Sequence, residues 1–120
     1  MFANAKRVLW IDDNPNFLLA VRAFFRGHPH IELVTAESAG CGLRTLKEQT
    51  FEMVISDLDL PDMGCRDLLR GIRSHFPGLI FGIVSGKEDA ECLSDLSEGL
   101  VFVRKKPIDL EEMEGLILTS

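Results

Sequence analysis

Short apolar runs alternate with helical patterns along the whole chain. Residues 7–11 form an apolar run stopped by acids, the pattern of a strand buried on both faces. Phe17, Leu18, Val21, Phe24 and Phe25 fall on one helical face that ends at Gly27. Pro15 suits the first turn of that helix, with Asp13 or Asn14 available as its N-cap. Residues 31–36 read as a second strand, and a helix from about Ser38 places Ala39, Leu43 and Leu46 on one face. Gly40 and Gly42 weaken that helix by about 1 kcal/mol each relative to alanine. A third strand, 53–56, runs into Asp57, and the turn formers Pro61, Asp62 and Gly64 mark 58–64 as loop. Leu68, Leu69, Ile72 and Phe76 give the next amphipathic helix, closed by Pro77-Gly78.

Residues 79–84 make the fourth and most apolar strand, ending at Ser85-Gly86. The polar stretch 87–99 is expected to be a short helix with Leu93 and Leu96 facing inward. A last strand covers 100–103, Lys106-Pro107 turns the chain, and Leu110, Met113, Leu116 and Ile117 mark a closing helix. Strands and helices thus alternate five times, with no linker, repeat or low-complexity tract, which predicts a doubly wound α/β fold. Right-handed crossovers favour a five-stranded parallel sheet with helices on both faces, and 2-1-3-4-5 is one of its two common strand orders.

Composition narrows the function without naming it. At 120 residues the chain fits one domain over residues 1–120. A net charge of −6 argues against direct nucleic-acid binding by these residues. Cys41, Cys65 and Cys92 are odd in number and far apart, so neither a disulfide framework nor a zinc site is supported. His28, His30 and His75 fall near element ends and form no ligand motif. No apolar stretch approaches the roughly 18 residues of a membrane span, and the run from Val8 to Ile11 is too short for a signal peptide, so a cytoplasmic location and no membrane partner are expected.

The strand ends carry the chemistry. In a 2-1-3-4-5 sheet the order reverses between the first and third strands, and ligands bind beyond their carboxyl ends. The first strand ends in Asp12-Asp13, and the third in Asp57 with Asp59 just beyond. Clustered carboxylates raise one another's pKa or take a counter-cation, and hard oxygen ligands with room for water suit Mg²⁺. Asp-Asp-Asn-Pro in place of GxGxxG disfavours a dinucleotide. Ser85 after the fourth strand offers a hydroxyl to a phosphoryl oxygen, and Lys106 after the fifth offers a point charge. Such a set suits in-line phosphoryl transfer with Asp57 as nucleophile. Singly, each motif is an ordinary cap, turn or solvated pair; their shared position on one sheet edge is what points to function.

The motifs VLWIDDNP, VISDLDLPDMG, IVSG and KKP, in this order, resemble the response-regulator receiver domains of two-component signalling, a flavodoxin-like (βα)5 family, over essentially the whole chain. The resemblance implies that Asp57 is the phosphoacceptor, that Asp12 and Asp13 bind Mg²⁺, and that Asp59 contributes its backbone carbonyl to the metal. It also implies Ser85 as the switch hydroxyl and Lys106 as the lysine before a proline, a bond usually cis in the family. The implied phosphodonor is a phosphohistidine on a sensor histidine kinase or phosphotransfer protein. A downstream output domain or effector, and a phosphorylation-dependent dimer, are the partners such a domain takes. The implied role is that of a signalling domain that promotes its own phosphorylation and dephosphorylation, not of an enzyme.

Three features depart from the family pattern. Counting back from Lys106-Pro107, the switch aromatic falls on Val103, with Phe102 one place earlier, so either the strand is shifted or the coupling of Ser85 to a rotating ring is missing. The stretch from Ser85 to Gly99 is about two residues shorter than the family leads one to expect, by comparison of motif spacing. The last helix, 109–118, is acidic and lacks the basic residues of one dimer mode. Two other readings compete. Asp57-Leu58-Asp59-Leu60 resembles the DxDx start of haloacid-dehalogenase phosphatases, although Pro61 and the mid-chain position do not fit. A receiver-like interaction module that no longer signals by phosphate is the second.

Overall fold

The computed structural model describes residues 4–86 and 99–120. Strands β1 (Lys6–Ile11), β2 (Ile31–Ala36), β3 (Met53–Ser56), β6 (Ile80–Ser85) and β7 (Leu100–Lys105) form one parallel sheet in the order β2-β1-β3-β6-β7. This is the expected 2-1-3-4-5 order, with a two-stranded hairpin inserted between its third and fourth members. The hairpin pairs β4 (Asp59–Leu60) with β5 (Met63–Gly64). Its place in the sequence was expected to be loop, and Pro61-Asp62 does form the turn. The flanking residues differ from an ordinary loop because Leu58 and Leu60 are buried in the core.

Alternation along the central strands divides the core into two layers. Val8 and Trp10 of β1, with Met53 and Ile55 of β3, face one side, where Leu18, Val21 and Phe25 of α1 (Pro15–Arg26) cover them. Met113 and Ile117 of α4 (Leu110–Thr119) complete that layer. Leu9 and Ile11, with Val54, face the other side, under Ala39 and Leu46 of α2 (Ala39–Glu48) and Leu68, Leu69 and Ile72 of α3 (Cys65–His75). Strands buried on both faces explain the near-continuous apolar runs in the sequence.

Local signals set the helix ends. Asn14 is the N-cap of α1, its side chain accepting from the amides of Asn16 and Phe17, with Pro15 in the first helical position. Ser38 caps α2 through the amide of Cys41, and Asp109 caps α4. Gly99, with φ +85°, takes a left-handed conformation at the entry to β7 that favours glycine. The expected helix over 87–99, with Leu93 and Leu96, lies almost wholly outside the described residues. No helix among the described residues is long and apolar enough to cross a membrane.

The last strand resolves one open point. It runs to Lys105, beyond the expected end at Val103, because Ser85 pairs with Lys105 and the Lys106 amide donates to the Ser85 carbonyl at 2.9 Å. The register does shift, but at Val101: Phe81 pairs with Leu100 and Gly82 with Phe102, leaving one residue extra on β7. From there to Lys105 the pairing is regular. The shift therefore leaves Phe102 inward and buried, and Val103 outward and 38% exposed.

Candidate functional site

Four strand ends meet at the carboxyl edge of the sheet. The Asp57 amide donates to the Ile11 carbonyl at 3.1 Å, and the Asp12 amide to Ala36 at 3.0 Å, so the ladder itself carries both acids to the edge. One carboxylate oxygen from each of Asp12, Asp13 and Asp57 lies within 4.8 Å of the others. Asp12 is fully buried, Asp57 half-buried and Asp13 exposed. The Asp59 carboxylate is not in this group; residue 59 is exposed, and its amide donates to Asp57 Oδ1 at 3.3 Å.

The remaining contacts converge on the same acids. Ser85 Oγ donates to Asp57 Oδ1 at 2.8 Å. Lys106 Nζ reaches Asp12 Oδ2 at 2.6 Å and Asp57 Oδ2 at 3.4 Å. The Asn14 amide donates to Asp12 Oδ1 at 2.9 Å, so both oxygens of the buried Asp12 are engaged. Burial of the ammonium pushes the Lys106 pKa down, but the Asp12 hydrogen bond and the charges of Asp12 and Asp57 outweigh it and hold the pKa above the ordinary 10.5. The Lys106-Pro107 peptide bond is cis.

Of the residues singled out from sequence, Asp12, Asp13, Asp57, Ser85 and Lys106 come together; Phe102 and Val103 do not reach this cluster in any described contact. Two participants, and one residue that braces the hairpin, are not marked out by the sequence pattern. By pattern Asn14 is a cap and Phe17 an apolar face residue, yet the Asn14 amide binds Asp12 and the Lys106 ammonium sits 4.4 Å from the centre of the Phe17 ring. Asp62, read as a turn former, accepts the amides of Ala39 and Gly40 at 3.0 and 2.9 Å and so ties the hairpin to the start of α2. No local sequence signal reveals either long-range contact.

Among the described residues, three carboxylates and one ammonium leave the pocket negative, and its donors are hard oxygens with an exposed side at Asp13. This donor set fits a small divalent cation that keeps part of its water shell.

Comparison with known proteins agrees with this geometry. Residues 8–118 match the family model of the response regulator receiver domain, and the chain belongs to that family. It is 31% identical over 107 residues to the transcriptional regulatory protein KdpE of Mycobacterium tuberculosis, covering 88% of this chain and 46% of that protein. The chain thus spans about half the length of that relative, and less of several others. Among solved structures, a CheY-like response regulator receiver domain protein from Methanospirillum hungatei superposes with a TM-score of 0.87 at 26% identity, over 96% of this chain and 92% of that one. A response regulator receiver protein from Pseudomonas putida gives 0.87 at 28% identity, over 99% of this chain and all of the other. The acidic pocket of Asp12, Asp13 and Asp57 fits the phosphoacceptor site of a two-component receiver domain, a signalling module.

Proposed function

We propose that Asp57 accepts a phosphoryl group from a phosphohistidine, and that residues 1–120 act as one receiver domain. The observation that carries this reading is the convergence on Asp57, at the end of β3, of a hydroxyl, a lysine and two further acids from three other strand ends. In the transfer, an Asp57 carboxylate oxygen attacks phosphorus as the P–N bond to the donor imidazole breaks. The acyl phosphate forms, and the departing imidazole nitrogen keeps the bonding pair and takes up a proton. Ser85 Oγ and Lys106 Nζ, both already on Asp57, then turn to phosphoryl oxygens as hydrogen-bond donor and point charge. Asp12, Asp13 and Asp57, with the backbone carbonyl of Asp59, would hold a Mg²⁺, which when bound supplies neutralising charge at the phosphoryl oxygens.

The domain signals by switching a partner-binding surface and acts only on its own phosphoryl group. Its donors are a sensor histidine kinase or a phosphotransfer protein, and its reader is an output domain or effector in the cytoplasm. A second copy of the chain bound in the phosphorylated state is a further partner of this kind. The net charge of −6 disfavours direct contact with nucleic acid. Val103 offers no ring at the outward position of β7, and Phe102 is packed inward, so a rotating aromatic there does not fit as the relay. This favours a reader that responds to backbone movement around Ser85 and Lys106; unchanged partner affinity on phosphorylation would instead support a phosphate-independent interaction module.

The test is the intact mass after incubation with acetyl phosphate and Mg²⁺. One labile phosphoryl adduct, absent from Asp57→Asn and absent with EDTA, is expected. No adduct on the unaltered protein would overturn the reading. Turnover of simple phosphate esters would revive the phosphatase alternative.

A further inference from the structure

We infer that Phe17 is a positioning residue for phosphoryl transfer to Asp57, its ring face holding the Lys106 ammonium at the acid pocket; this rests on the phosphoacceptor reading above. Lysine is a flexible point charge whose four-carbon stem loses much rotamer freedom when fixed. Three groups fix it here: Asp12 Oδ2 at 2.6 Å, Asp57 Oδ2 at 3.4 Å, and the Phe17 ring with its centre 4.4 Å from Nζ. The acceptors on Asp57 change when it takes a phosphoryl group. The ring does not.

Phe17 is itself held in place. Its amide donates to the Asn14 side chain at 3.1 Å, in the first turn of α1. Its ring meets the fully buried Trp10 edge to face, with centroids 5.9 Å apart and planes at 64°. The Asn14 amide in turn binds Asp12 Oδ1, and Asp12 Oδ2 binds Lys106. Asp12, Asn14, Phe17 and Lys106 therefore close a circuit of contacts in which the start of α1 sets where the ammonium sits. The ring is only half-buried, and an aliphatic side chain would fill the same apolar position. What an aliphatic group lacks is the negative ring face that attracts a cation.

The experiment replaces Phe17 with leucine and with mono-, tri- and pentafluorinated phenylalanine, in the whole chain. Fluorination largely keeps the ring's shape while stripping its face of negative charge; the edge contact with Trp10 also depends on that charge distribution, so the melting temperature of each variant is measured beside the rate, and a purely structural role would move the two together. The first readout is the NMR shift of the Lys106 ε-methylene protons, assigned with a Lys106→Arg variant. A ring-current upfield shift is expected in the unaltered protein and is lost in Phe17→Leu. The second is the rate of Asp57 phosphorylation by acetyl phosphate with Mg²⁺. It should fall stepwise with fluorine number, reaching about five-fold for the pentafluorinated ring and for leucine, the factor of an exposed-to-half-buried cation–π contact.

An unchanged rate with the pentafluorinated ring, or no ring-current shift at Lys106, would overturn the inference. Failure of the underlying reading looks different: the unaltered protein would take no phosphoryl group at all. That result removes the transfer role, while the NMR arm still decides whether the ring holds the ammonium.

Discussion

Phe102 fills the space that a side chain on Gly82 would need. A Cβ on Gly82 would lie well inside contact distance of three atoms of the Phe102 ring, which is buried in the same core layer as Val84, Met113 and Ile117. The two residues are direct partners in the β6–β7 ladder, immediately after the extra residue at Val101.

Gly82→Ala is therefore expected to destabilise the protein by about 1–3 kcal/mol, the usual cost of overpacking a closed core. Denaturant unfolding would measure it. Adding Phe102→Leu should recover part of the loss, since the two sites are in contact and their effects will not add. Full additivity in the double variant would show that the ring is not what Gly82 accommodates.

Asp62 holds the hairpin to the start of α2, and the amides of Gly40 and Ala39 lower its pKa from the ordinary 3.8. A lowered pKa in the folded state contributes stability that is whole above 3.8 and is lost as pH falls through the depressed value. Asp62→Ala should lower the melting temperature at pH 7, and the gap from the unaltered protein should close in strong acid. A gap that stays constant down to low pH would refute the role of the charged form.

Lys106→Met removes the cation from Asp12, which is fully buried. The expected loss is roughly 2–4 kcal/mol, below that of a wholly buried pair because 24% of the lysine side chain reaches solvent. The Lys106 pKa is raised, so its contribution is complete below 10.5 and disappears only as pH climbs through the higher folded value. Urea titrations at pH 7 and pH 9 should give the same difference between the two proteins.

Two glycines in helices should respond in opposite directions. Nothing lies within 4 Å of a Cβ on Gly115 in α4, so Gly115→Ala should stabilise by about 0.5–1 kcal/mol through helix propensity. A Cβ on Gly42 in α2 would run into the side chain of Ile11, itself fully buried, so Gly42→Ala should destabilise despite the same propensity gain. Thermal melts of the two variants decide this, and equal shifts would sink the packing argument.

Removing one acid tests the cation site. Asp13→Asn should raise the melting temperature in EDTA, because it relieves repulsion with the neighbouring carboxylates of Asp12 and Asp57, the two that the Lys106 ammonium pairs with. In the unaltered protein, Mg²⁺ at a hundred times its Kd should add about 2.7 kcal/mol. Asp13→Asn should need far more Mg²⁺ for the same gain. An Asp13→Asn protein that responds like the parent would exclude Asp13 as a ligand.

Strand order, four helix positions and the acids at the sheet edge were all legible in the sequence. Strands covered on both faces leave unbroken apolar runs, and acids at their ends stand out against them. The hairpin at 59–64 was not legible, because a two-residue strand is too short to show a period and Pro61, Asp62 and Gly64 dominate the signal. The register of β7 was equally hidden: Val101, Phe102 and Val103 are all apolar, and only the inward packing of Phe102 on Gly82 tells them apart. By propensity Gly42 is a weak point in a helix, whereas in the structure it leaves room for the side chain of Ile11 in β1. Phe17 and Asp62 act through partners 89 and 22–23 positions away, a separation that no local pattern encodes.

The division of the core by the sheet has a consequence for inheritance of damage. Trp10, Phe25, Phe102 and Met113 belong to one layer, and Ile11, Leu46, Leu69 and Ile83 to the other, with the strand backbones as the wall between them. A defect in one layer is felt there, and a compensating substitution should arise in the same layer, while defects in opposite layers should simply add. The acid pocket straddles that wall: the loop after Asp57 is moored by Leu58 and Leu60 in one layer, and Lys106 by Phe17 in the other. Suppressors of either kind of lesion at the pocket should therefore map to two separate sets of residues, one per face.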